Sequence, residues 1–182
     1  QAPQVQAGPD QEVLAGARVT LSGSANDSDG TIASYSWAQD SGDTVALEGA
    51  DTATAHFDMP QRPISSSFMF TLTVTDNHGT IASDTITINH QNTAPTVNVQ
   101  SGSIGAVGSS VDLIAHASDL DGEIVSYQWT QTEGTSVELS GADTANASFL
   151  VPNEAATGNL IFSLTVTDNR GAIASVSVTI FL

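Results

Sequence analysis

The chain has 182 residues, 40% of them hydrophobic, enough for one or two packed domains. Its 20 acids against 3 bases (Arg18, Arg62 and Arg170) give a formal net charge of −17, which repels phosphate backbones and anionic membranes and excludes nucleic acid as a partner. There is no cysteine, so no disulfide framework or thiol nucleophile, and no apolar run of about 18 residues to insert in a membrane.

In chain order, the first half opens Gln1-Ala2-Pro3 and runs into Val19-Thr20-Leu21, which alternates apolar and polar residues as a half-buried strand does. The stretch Asp27-Ser28-Asp29-Gly30 then forms an acidic turn, with Gly30 predicted at positive φ, and leads into the strand containing Tyr35 and Trp37. Ser41-Gly42, Glu48-Gly49 and His78-Gly79 are further turn signals. Phe70, Leu72 and Val74 share one face of a strand, and Ile86-Thr87-Ile88 closes the half. The linker Gln91-Asn92-Thr93-Ala94-Pro95 is short and ends in Pro, so it is predicted to be stiff. The pattern then repeats: Ala2-Pro3 recurs as Ala94-Pro95, Trp37 as Trp129 and Asp76 as Asp168, each 92 residues on. Val111-Asp112-Leu113, the face of Phe162, Leu164 and Val166, and Val176 to Ile180 are the second set of strands. No segment has helical periodicity, although residues 153–157 suit a single turn. A repeat of about 90 residues is too long for a solenoid unit and fits a small β-sandwich of about seven strands. The domains are therefore placed at 1–91 and 92–182, and the abrupt ends and missing leader pattern read as those of a piece of a longer protein.

Two carboxylates two residues apart can face one hard cation, and calcium takes six to eight oxygens. The same Asp-x-Asp-Gly pattern serves equally as a metal-free turn, in which Asp accepts backbone N–H bonds. An EF-hand is excluded, because the position of its closing Glu holds Ala38 in one half and Thr130 in the other. His56, His78, His90 and His116 show no zinc spacing and are predicted at the surface or strand edges. No Gly-x-Ser-x-Gly elbow is present, and two filled sandwiches offer no long cleft for paired carboxylates, so the chain reads as non-catalytic.

The combined motifs resemble those of the PKD (polycystic kidney disease) domain family in its bacterial extracellular form. They are Gly-x-x-Val-x-Leu at Gly16 to Leu21, Asp-x-Asp-Gly-x-Ile-x-Ser-Tyr-x-Trp, Gly49-Ala50-Asp51-Thr52-Ala53 leading to Phe57 and Pro60, and Phe-x-Leu-x-Val-x-Asp-Asn-x-Gly at Phe70 to Gly79. The resemblance covers both halves, with a less regular approach at Ser109-Ser110 in the second. It implies an all-β fold of two tandem immunoglobulin-like β-sandwich domains, with Trp37 and Trp129 in the cores. Phe57, Phe70, Phe149 and Phe162 also fall on inward positions, which leaves Phe68, Phe181 and one tyrosine for any sugar-stacking face.

The resemblance also implies calcium. Carried over position by position, the ligands are Asp27, Asp29 and Asp76 in the first half and Asp119, Asp121 and Asp168 in the second, with Asn92 added ahead of Pro95. The second site is therefore expected to bind more tightly, and its occupancy to fix the angle at the linker. Clustered carboxylates with no base among them repel one another, which a cation relieves. The functional expectation is a non-catalytic extracellular module of a secreted or cell-surface protein. It would be a stiff, calcium-stabilised spacer that meets neighbouring domains of the parent chain and serves interaction or adhesion. The alternative is an accessory domain that binds polysaccharide or insoluble protein substrate beside a secreted hydrolase.

Overall fold

A computed structural model describes residues 1–100, 106–152 and 158–182; the turn suited to 153–157 lies outside the described residues. The chain divides into two compact units, Gln1–Asn92 and Thr93–Leu182. The first contains β1 (Gln4–Gln6), β2 (Gln11–Leu14), β3 (Arg18–Ser22), β4 (Ser24–Asn26), β5 (Ile32–Ser41), β6 (Thr54–Asp58), β7 (Ser67–Asp76) and β8 (Ile81–Gln91). The second contains β9 (Thr96–Gln100), β10 (Ser110–Ser118), β11 (Ile124–Glu133), β12 (Asn146–Leu150), β13 (Leu160–Asp168) and β14 (Ile173–Ile180). No helix occurs among the described residues.

Both units are β-sandwiches. In the first, the sheet β2-β8-β7-β5 packs against the strand pairs β1-β4 and β3-β6, and β2 joins β8 in parallel. In the second, β11-β13-β14 packs against β12-β10-β9. Alternation decides which side chains enter the core. Along β7, Phe68, Phe70, Leu72 and Val74 are buried while their neighbours are less so, and β13 repeats this with Leu160, Phe162, Leu164 and Val166. Each such side chain withdrawn from water contributes roughly 1.5–3 kcal/mol. Trp37 lies opposite Leu72 and Trp129 opposite Leu164, and both indoles are buried.

Two positions differ from the expectation. Phe68, left outside the core by the sequence pattern, is fully buried, with its ring 6.2 Å from that of Phe57. His90, the penultimate residue of β8, is buried rather than at the surface, and its backbone N–H donates to the Ser66 carbonyl. The strand edge of the sandwich also varies between units. Residues 18–26 form two short strands broken at Gly23, whereas the equivalent 110–118 is the single strand β10, with Ala115 at the matching position.

Candidate metal centre

In the first unit the strands carry the acids to one place. β4 ends just before Asp27, β7 ends on Asp76, and the turn 76–79 folds back on the start of β5. Two hydrogen bonds fasten that turn: the Asn77 N–H donates to the Thr31 carbonyl, and the Thr31 N–H donates to Asn77 Oδ1, both at 2.9 Å. Asp76 Oδ1 accepts from the backbone of His78 (2.7 Å) and Thr80 (2.8 Å), although the side chain is only 2% exposed. The bond from Thr80, joined by that from His78, holds the Asp76 carboxyl below the ordinary 3.8 against the opposing effect of burial. Asp27 Oδ1 accepts a longer bond from Asp29 N–H, at 3.4 Å.

What these bonds leave over marks a candidate site. Asp27 Oδ2 and Asp76 Oδ2 are both buried and have no hydrogen-bond partner. Ligand atoms of Asp27, Asp76 and His78 lie within 4.8 Å of one another. Gly30 faces this cluster, and a Cβ there would collide with Asp27 Oδ2 and Asn77 Oδ1. The glycine is thus required for space; its φ is not positive, unlike that of Gly42, Gly49 and Gly79 in the other predicted turns. Asp29 stands outside the cluster, exposed, with Oδ2 accepting from the Gln1 amine at 2.7 Å. That bond lowers the Asp29 carboxyl and raises the amine.

The second unit repeats the scaffold. The Asn169 N–H donates to the Glu123 carbonyl, the Glu123 N–H donates to Asn169 Oδ1, and Asp168 Oδ1 accepts from Arg170 and Ala172. A Cβ on Gly122 would strike Asp119 Oδ2 and Asn169 Oδ1. Here the middle acid is sequestered: Asp121 is 1% exposed, and its Oδ2 accepts from Thr93 N–H at 3.0 Å. Burial pushes the Asp119 carboxyl up, and the charges of Asp121 and Asp168 add to the effect. Asp119 Oδ2 is buried without a partner. Asn92 is half-buried and is the last residue of the first unit.

The donor sets fit a hard cation. Each unit gathers carboxylate and amide oxygens round a glycine gap, with Asp27 Oδ2 and Asp76 Oδ2 unpartnered in the first and Asp119 Oδ2 in the second. Asn77, Asn169 and His78 are members of these clusters that sequence reasoning missed. The signal available was the constant Asp-Asn pair after each long strand, but local spacing does not show that this turn folds back on the Asp-x-Asp-Gly loop.

Comparison with known proteins bears on both halves. The family described as K319L-like, PKD domain matches residues 7–89 and 101–182. The mouse Dyslexia-associated protein KIAA0319-like protein is 33% identical over 178 residues, covering 93% of this chain and 16% of that protein. The mouse Dyslexia-associated protein KIAA0319 homolog is 32% identical over 190 residues, covering 99% of this chain and 17% of that protein. The chain thus spans under a fifth of the length of either relative. Among solved structures, the PKD domain from KIAA 1837 protein is 32% identical, with a TM-score of 0.43, covering 50% of this chain and 88% of that one. With a family match in each half, the chain belongs to the K319L-like PKD domain family, as two domains in tandem.

Proposed function

We propose that the chain is a non-catalytic extracellular module, two tandem PKD-like domains acting as a stiff, calcium-stabilised spacer and interaction unit within a longer secreted or cell-surface protein. The observation that carries this reading is the pair of glycine-gapped acid clusters, one per domain, with Asp27 Oδ2 and Asp76 Oδ2 buried and unpartnered in the first and Asp119 Oδ2 in the second. Such oxygens are costly to leave unpaired, and a divalent cation would satisfy them. Asp27, Asp76 and Asn77 would hold it in the first domain, and Asp119, Asp121, Asp168 and Asn169 in the second. When bound, the ion supplies charge neutralisation that ties the turn after β7 or β13 to the loop before β5 or β11.

Stiffness is supported by the connection between domains: β8 ends at Gln91 and β9 starts at Thr96, with Pro95 buried between them. The accessory-domain alternative needs an aromatic face for its substrate. Of the ten Trp, Tyr and Phe side chains only Phe181 is exposed, which favours the spacer. Thermal unfolding of the whole chain, first with calcium and then with chelator, tests the reading. Calcium is expected to raise the melting temperature, and the rise is expected to shrink in Asp27→Asn and Asp119→Asn. An unchanged melting curve at millimolar calcium overturns it, leaving the acids as turn formers.

A further inference from the structure

The two sites differ at one position that their shared scaffold holds in place. His78 in the first unit corresponds to Arg170 in the second, 92 residues on. We infer that the first domain's cluster of Asp27, Asp76 and His78 is a binding site for a borderline divalent ion of the zinc class, while the second domain's site, built from oxygens alone, is confined to hard cations. This rests on the reading of the acid clusters as cation sites and adds to the first cluster a zinc-class ion that the second cannot take.

The donor chemistry separates them. Imidazole suits zinc, nickel and copper, whereas calcium is bound through oxygens. Three protein ligands with a remaining position for water is a common zinc arrangement. Ligand atoms of Asp27, Asp76 and His78 already lie within 4.8 Å of one another. Asp76 brings the second, independent indication: the side chain is 2% exposed, yet its Oδ2 has no partner. His78 is held over the cluster through its backbone, whose N–H donates to Asp76 Oδ1 at 2.7 Å. The same bond in the second unit, from Arg170 N–H to Asp168 Oδ1 at 2.8 Å, presents a guanidinium side chain instead. Arginine has no lone pair to give a metal and carries a positive charge. His56 pairs its Nδ1 with Thr20 Oγ1 at 3.0 Å on β6, a different element.

Isothermal titration of the whole chain with zinc chloride, with and without millimolar calcium, tests this. One zinc is expected to bind per chain. His78→Ala should weaken zinc binding by at least about tenfold, since loss of even a supporting residue costs 10–100-fold, and should leave the calcium isotherm in place. Arg170→His should add a second zinc. The His78 ring signals in NMR spectra should shift on adding zinc and stay put on adding calcium. Zinc affinity unaffected by His78→Ala, or no gain in Arg170→His, overturns the inference. Calcium binding without any His78-dependent zinc defeats this inference alone. His78-dependent zinc binding without calcium defeats the calcium reading and leaves this one standing.

Discussion

Trp37 and Trp129 occupy equivalent places, but only one has its indole N–H paired. Trp129 Nε1 donates to the Thr144 carbonyl at 3.1 Å, whereas Trp37 Nε1 is buried without a partner. Removing either ring leaves a large cavity, so Trp129→Ala should cost roughly 3–5 kcal/mol. Replacement by Phe should separate the two, because Trp129→Phe also strands the Thr144 carbonyl and should cost about 1 kcal/mol more than Trp37→Phe. Equal losses in urea denaturation would contradict this. The carboxylates differ in a similar way. Asp76 is held below the ordinary 3.8 by backbone donors, chiefly Thr80, and Asp119 is pushed above it, chiefly by burial. In chelator, the stability Asp76 contributes is present above its ordinary value and is lost as the pH falls through its lowered folded value. Asp119 has the opposite sign: the second domain gains stability as the pH falls through its raised folded value toward 3.8. Carboxyl NMR titration should therefore place Asp76 below Asp119, and the reverse order would refute the assignment. The positions of the acids were legible from the constant repeat. Their unequal environments were not, since burial of Asp121 and exposure of Asp29 depend on chain segments distant in sequence.

Strands were legible because period-two alternation survives where one face is buried, as it does along β7 and β13. Their breaks were less so. Gly23 and Ala115 are equivalent, and each donates its N–H to the facing loop, to Ala53 and Ala145 respectively. A Cβ on Gly23 would collide with Leu72 Cδ2 and come within 3.0 Å of Trp37 Cζ2, so the first core closes over a bare backbone. The second core accommodates the Ala115 methyl group, which is 6% exposed, and β10 runs through unbroken. Gly23→Ala should thus overpack the first core and cost roughly 1–3 kcal/mol. Ala115→Gly should cost about 0.5–1 kcal/mol, mainly in backbone entropy. Thermal unfolding of the two variants would check this, and a stabilised Gly23→Ala protein would show that the contact with Trp37 is slack. A strand pattern read from alternation alone cannot anticipate this difference, because it arises across the sandwich from the side chains of β5 and β7.

At the scale of the molecule, two separate hydrophobic cores and a net charge of −17 set the response to cations. The tandem organisation was plain in the 92-residue offset, whereas the expectation of unequal affinity at the two sites rested on Asn92. The structure supplies another basis for it. In the second domain, Asp121 is 1% exposed and Asp119 is already destabilised by burial and by its acidic neighbours, so a calcium ion would relieve a standing repulsion there. In the first domain, Asp29 is 55% exposed and stands outside the cluster, whose third member is the imidazole of His78, which calcium uses poorly. Calcium should therefore bind the second domain more tightly. At about a hundredfold excess over Kd, binding adds about 2.7 kcal/mol to the liganded domain. For a domain of this size, that gain raises the melting temperature by roughly 10–20 °C. Calorimetry of the whole chain should show two transitions in limiting calcium, the upper one belonging to the second domain. Asp119→Asn should collapse the separation, and Asp27→Asn should leave it. Two transitions that rise together at every calcium concentration would show the sites to be equal and remove buried charge as the source of tighter binding.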